Sequence, residues 1–327
     1  MAKRVKAAAN KPAKTPANKK PAARFPMVAT GELLTLLDFV RFAVSRFVEA
    51  GLAFAHGTTD PVAEAAFLVC EALHLHPDQF EAFAGARVTA AEGGTILDLI
   101  ARRVTTRKPA AYLVNKVYMR GLPFYVDERV IVPRSYIGEL LDSHFGGDDE
   151  GSSLIGVPAG VAQVLDLCTG SGCLAILAAR HFPNAEVDAV DISGDAIEVA
   201  ARNVADYGLE GRVRLYRGDL FKPLGGKRYD LIISNPPYVD AGGMAELPPE
   251  CRAEPRLAFD GGADGLDLIR RILERAGRHL TAEGGLVCEV GRGREVLEAA
   301  FPQLPLLWLD TEESQGEVFW IGAADLR

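Results

Sequence analysis

Asn235, Pro236, Pro237 and Tyr238 carry the most specific chemistry in this chain. They follow the apolar run 229–234, which reads as a buried strand bounded by a turn. A side-chain amide and two rigid prolines therefore sit at the end of a strand, where α/β proteins build their sites. The proline pair fixes the backbone and removes two N–H donors, so carbonyl oxygens there stay free to accept hydrogen bonds. Asn235 adds a further acceptor oxygen. Such a site suits a planar NH2 group, which offers two hydrogens and needs its nitrogen aimed. By itself a proline pair also punctuates ordinary loops.

A second motif narrows the choice. Residues 161–179 read as a strand, a glycine turn and a helix start, with Asp166, Cys168, Thr169, Gly170, Ser171 and Gly172 at the turn. Glycines here let the backbone turn tightly and approach a ligand closely. Nineteen residues beyond Gly172, Asp191 ends the strand 185–190, placed to accept hydrogen bonds from ribose hydroxyls. Asp219 ends the next strand-like run, placed to meet an adenine amino group. Taken singly, each acid reads as a helix cap or a solvated loop residue. Asp166, Asp191, Asp219 and Asn235 following four successive strand-like runs form an ordered set. The glycine spacing also fits the loose dinucleotide fingerprint, so a nicotinamide oxidoreductase is a rival; it gives no reason for the Asn-Pro-Pro-Tyr stretch.

This ordered set resembles the class I S-adenosylmethionine-dependent methyltransferases, and with Asn-Pro-Pro-Tyr the subgroup that methylates planar amide or amino nitrogens. Residues 132–141, with Pro133-Arg134-Ser135, are similar to the segment before the catalytic core of the HemK-like protein-(glutamine-N5) methyltransferases. The Pro-Arg-Ser form is similar to the PrmB-type branch acting on large-subunit ribosomal protein L-three. The release-factor branch usually carries Pro-Arg-Pro-Glu-Thr there. Residues 247–255 and 260–267 also resemble the first branch, and Cys251 departs from its usual aromatic residue. The resemblance covers residues 30–327. It implies transfer of a methyl group to a glutamine side-chain nitrogen of ribosomal protein L-three. The Asn235 oxygen and the Pro236 carbonyl would accept the amide hydrogens, Pro237 would stiffen the loop, and Tyr238 would pack against the glutamine plane. Cys168 to Gly172 would surround the methionine part of the cofactor, Asp191 the ribose, and Asp219 with Leu220 the adenine, with Asp166 and Asn235 completing the set. Rivals are release-factor modification, methylation of an exocyclic base nitrogen in RNA or DNA, and a ribosome-assembly binder that no longer catalyses.

Composition is compatible with an intracellular enzyme. At 48% hydrophobic residues the chain can bury a substantial core, and no apolar run is long enough to span a bilayer. Five scattered cysteines show no metal spacing and read as reduced cytoplasmic thiols, so no metal is expected. Residues 1–26 hold eight Lys or Arg and no acid; subtracting that +8 from the net −8 leaves −16 on residues 27–327. The leader reads as a disordered basic tail. It suits nonspecific contact with RNA, a solubilising tail, or an organellar transit peptide, the last disfavoured by lysine dominance and prolines. An acidic body does not suit a naked nucleic-acid substrate.

The elements that must position these residues follow the same chain order. Residues 27–109 show helical periodicity and read as a small helical bundle, with an acid and proline at 60–61 opening a helix; the resemblance implies a substrate-recognition domain, and a purely stabilising cap is the alternative. Residues 110–134 alternate and predict a β-hairpin linker. Residues 135–327 read as the methyltransferase domain, with a Gly- and Asp-rich loop at 144–160. Strands are expected near 162–167, 185–190, 212–217, 229–234 and 285–290, with terminal strands at 305–310 and 316–322. That alternation predicts an α/β fold, a Rossmann-like doubly wound parallel sheet with an antiparallel edge.

Overall fold

The computed structural model describes residues 31–54, 56–58, 60–145, 153–312 and 314–326. The basic leader lies outside the described residues, as do residues 146–152 of the Gly- and Asp-rich loop.

Capping chemistry sets the N-terminal helices. Thr35 and Asp38 satisfy each other's backbone N–H groups and open α1 (Leu36–Glu49). Asp60 accepts from the Val62 and Ala63 amides, with Pro61 in the first turn of α2 (Pro61–Ala72). After the short α3 (Phe80–Phe83), Thr89 and Glu92 form a second capping box that opens α4 (Ala90–Thr106). Phe39, Phe47, Leu68, Ile96 and Ile100 are buried among these helices, and each is worth about 1.5–3 kcal/mol of burial. Beside them Arg103 meets Glu64 at 2.7 Å with both side chains fully buried. Arg103 also donates to the Ala53 carbonyl at 3.0 Å, which pins the loop between α1 and α2.

The linker differs from the hairpin expected over 110–134. Its start is a helical turn, α5 (Ala110–Val114), built from good helix formers and stopped by Asn115 in the left-handed region. Only β1 (Val117–Met119) and β2 (Leu122–Phe124) pair as antiparallel strands. Beyond them the Asn203 side chain substitutes for a strand partner, accepting from the Tyr125 amide at 2.8 Å and donating to its carbonyl at 3.0 Å. Val126, Val130 and Val132 then enter the core beneath the sheet.

The catalytic half alternates helix and strand. Its elements are α6 (Ile137–His144), β3 (Gln163–Leu167), α7 (Cys173–His181), β4 (Glu186–Asp191), α8 (Gly194–Asp206), β5 (Val213–Arg217) and β6 (Tyr229–Ser234), followed by α9 (Ala241–Glu246), α10 (Asp267–His279), β7 (Leu280–Glu289), α11 (Arg294–Ala300), β8 (Leu307–Leu309) and β9 (Val318–Gly322). The sheet order is β5-β4-β3-β6-β7-β9-β8. The first five strands run parallel, and β9 is antiparallel to both neighbours. Both faces are covered, so the parallel strands read as continuous apolar runs. Their pleat still sorts them: Val164, Leu231 and Ile233 face one core, and Leu165, Leu167 and Ile232 the other. β7 begins five residues earlier than expected, because a bulge between Tyr229 and Leu231 lets Leu280 pair with the start of β6. The chain runs outward from β3 to β5, then returns to lay β6 on the other side of β3. That switch opens a crevice at the carboxyl ends of β3 and β6, where Leu167 lies opposite Ser234.

Candidate active site

The glycine turn closes one side of this crevice. Cys168, Gly170 and Gly172 all have positive φ, at 61°, 55° and 81°. A Cβ on Gly172 would come within 3.1 Å of the Ala200 side chain, so α8 packs here only against hydrogen. Asp191 ties the turn to β4. One carboxylate oxygen accepts the Gly170 amide at 2.9 Å and the other the Ser193 amide at 2.9 Å. Burial nevertheless holds its carboxyl above the ordinary range. Asp166 is fully buried under the turn, taking the Thr169 hydroxyl at 2.5 Å, and burial pushes its carboxyl up to about 7. On the far side Asp219 is held below the ordinary carboxylate range by Lys222 at 2.8 Å and Arg271 at 2.6 Å.

Across the turn stands the Asn-Pro-Pro-Tyr loop. The Asn235 Nδ2 donates to the Arg134 carbonyl at 3.1 Å. That bond ties one N–H of the Asn235 amide to the segment before the core and leaves its oxygen available as an acceptor. The Tyr238 hydroxyl donates to Glu289 at 2.9 Å, and the other Glu289 oxygen accepts the Ser135 hydroxyl at 2.7 Å and the Tyr136 amide at 3.2 Å. Glu289 is buried, which pushes its carboxyl up to about 7 against those three donors. The Tyr238 phenol is raised well above its usual value by burial and by Glu289 beside it, so it stays protonated. The loop after α9 braces the same residue from behind. The Val239 amide donates to Phe259 and the Gly261 amide to Val239, at 2.8 and 2.9 Å. A Cβ on Gly265 would lie 2.5 Å from the Tyr238 carbonyl oxygen, which explains a glycine-rich stretch at 260–267.

Two cavities meet at this point. One, of about 290 Å³, is lined by Thr169, Ser171, Pro236, Tyr238, Pro248 and Phe259. The other, of about 330 Å³, is lined by Asp191, Asp219, Leu220, Pro237, Ala196 and Arg271. Cys168, Gly170 and Asn235 stand in the wall of both. The structure thus brings together eleven of the thirteen residues singled out in the sequence. Asp166 and Gly172 line neither cavity and act from beneath the turn. Sequence reasoning missed Glu289 and Glu254, which sit far along the chain inside apolar or loop segments with no local pattern to mark them. His56 is a further residue that no local sequence pattern marks. In the fold, His56, Cys251 and Glu254 offer donor atoms within 4.8 Å of one another. The Arg134 guanidinium already faces both Glu254 oxygens at 3.4 Å, so a cation occupies that carboxylate.

Two adjoining cavities thus share Cys168, Gly170 and Asn235 in their walls. The family model described as methyltransferase small domain matches residues 148–247. The ribosomal protein uL3 glutamine methyltransferase of Bradyrhizobium diazoefficiens is 79% identical, over 91% of this chain and 94% of its own length. Its counterpart in Bordetella pertussis is 53% identical over 90% and 97%, respectively. This chain belongs to the uL3 glutamine methyltransferase family. It is a methyltransferase with the class I fold. Among solved structures, a methyltransferase from Pyrococcus furiosus covers 62% of this chain and 91% of its own at 19% identity and a TM-score of 0.44.

Proposed function

We propose that this enzyme transfers the methyl group of S-adenosylmethionine to the side-chain amide nitrogen of a glutamine in ribosomal protein uL3, in the cytoplasm. The single observation that carries this reading is the Asn235 amide. Its nitrogen is tied to the Arg134 carbonyl, and the residue stands in the wall of both cavities. The donor set fits the cofactor. The Asp191 carboxylate and the Leu220 segment line the second cavity, and Cys168 and Gly170 join it to the first. Asp191 would hold the ribose, the Asp219–Leu220 segment the adenine, and the 168–171 turn the methionine part. When bound, the cofactor supplies a methyl carbon made electrophilic by a sulfonium.

A neutral amide nitrogen is a weak nucleophile because its lone pair is delocalised. The task of the protein is alignment, which is worth roughly 7–11 kcal/mol at best. The Asn235 oxygen and the Pro236 carbonyl accept the two hydrogens of the substrate amide and point its nitrogen at the donor cavity. Transfer would form a carbon–nitrogen bond at the expense of the methyl's bond to sulfur, and one of the two amide hydrogens would leave as a proton to solvent. Acceptors on both hydrogens strengthen as positive charge develops on nitrogen, so they favour the transition state over the ground state. Tyr238 is not the base, because its hydroxyl donates to Glu289 and stays protonated. It serves as a wall for the amide plane. The eight cationic residues of the leader would add nonspecific RNA contact that raises encounter with ribosome precursors.

The test is methyl transfer from radiolabelled S-adenosylmethionine into ribosomes from a strain lacking this protein, with products mapped by mass after nuclease or protease treatment. Nuclease-resistant label on a uL3 glutamine is expected. Label on a release factor would overturn the substrate, and label lost with nuclease would move the chemistry to a base amino group.

A further inference from the structure

The turn 249–254 is tied down by more buried charge than its length explains. Glu250, fully buried, accepts the Ala53 amide at 3.2 Å and Arg107 at 2.5 Å, both from the helical region. The Glu254 side chain is also fully buried. One of its oxygens accepts the Val132 amide at 2.9 Å, and the other meets the His56 Nε2 at 3.1 Å. Arg134 faces both oxygens at 3.4 Å. The Arg134 carbonyl is the group that holds Asn235. Three parts of the chain thus converge on one carboxylate: the loop between α1 and α2, the segment before the core, and the loop after α9. Burying a carboxylate is costly unless it is paired and hydrogen-bonded, so such a group is kept where its geometry matters.

We propose that His56 and Glu254 are positioning residues for methyl transfer, holding the Arg134 peptide so that its carbonyl aims the Asn235 amide. The helical domain is then part of the catalytic apparatus as well as a candidate docking platform. A nucleophilic triad is excluded by geometry. Cys251 Sγ at 3.4 Å and Glu254 both address the same imidazole nitrogen, Nε2, whereas a triad needs base and orienter on opposite nitrogens.

The proposal rests on the alignment role given to Asn235 above, and its test has one arm that needs no substrate. In that arm, the Asn235 side-chain amide hydrogens are followed by NMR exchange, assigned by their loss in Asn235→Asp. They exchange slowly in the wild type. In His56→Leu and in Glu254→Gln they exchange at least tenfold faster, and His56→Gln, which can restore a donor to Glu254, recovers most of the protection. In the kinetic arm, His56→Leu lowers kcat about tenfold or more while cofactor affinity stays within twofold. Unchanged amide exchange in a folded Glu254→Gln protein overturns the proposal, as does a kcat loss matched by an equal loss of cofactor binding. One zinc ion per chain, with activity lost to a chelator, would also overturn it. A wild type that leaves uL3 unlabelled would refute the substrate reading, and the exchange arm would still judge the positioning role.

Discussion

At the scale of residues, the proposed reaction turns on the Asn235 amide, whose nitrogen is tied to the Arg134 carbonyl. Asn235→Ala removes the acceptor and should lower kcat about 100-fold or more, since misalignment of this kind costs that much. Cofactor affinity, measured by calorimetry, should change little because Asp191 and the glycine turn are untouched. Asn235→Asp keeps the shape but sets a carboxylate oxygen against the Arg134 carbonyl, and we expect an equal loss of turnover. Glu289 gives a pH signature. Its carboxyl titrates near 7 in the folded protein against an ordinary 4.5, so folding takes up a proton. The stabilisation is complete below pH 4.5 and is lost as pH rises through about 7. A shift of that size is on the order of 3 kcal/mol. Glu289→Gln cannot ionise, and its amide can donate to Tyr238 while its oxygen accepts from Ser135. The melting temperature of the variant should therefore gain on the wild type as pH rises from 5 to 8. A difference independent of pH would show that Glu289 does not titrate there.

At the scale of elements, the site is two loops braced from outside. Gly265 has a φ of 82° and no room for a methyl group beside the Tyr238 carbonyl. Gly265→Ala should cost about 2 kcal/mol or more in a denaturant melt, from left-handed strain plus the clash, and should lower kcat beyond the stability loss. Most of these elements were legible in the sequence. The strands at 163–167, 186–191, 213–217 and 229–234 announced themselves as strand-like runs, each with an acid or an asparagine at or near its carboxyl end. The linker was legible in part. Alternation over 110–134 suggested a hairpin, and β1 does pair with β2 over 117–124, but the local helix preference of 110–114 and the side chain of Asn203 decide the rest of its path. The partners of Asn235 and Tyr238 were also invisible, because Arg134 and Glu289 lie 101 and 51 residues away, and only the folded sheet brings them near.

At the scale of the whole molecule, charge is divided between an acidic body and a basic leader. Deleting residues 1–26 should weaken binding to ribosomal precursors and flatten its salt dependence, measured by sedimentation across a salt series, while kcat on isolated uL3 stays within twofold. No change in either binding or its salt slope would leave the leader without a role in encounter. The body carries the fold that its order of acids implied, and the helical region is joined to it through Glu250 and Glu254, buried carboxylates that no composition reading could reveal. The brace on the catalytic loop also imposes an order in time. The carbonyl that aims Asn235 is synthesised 101 residues before it, and the carboxyl that steadies Tyr238 is synthesised 51 residues after it. A chain still emerging from its ribosome holds an unsteadied loop until β7 has joined β6. The loop therefore gains its last brace only once the sheet is nearly complete.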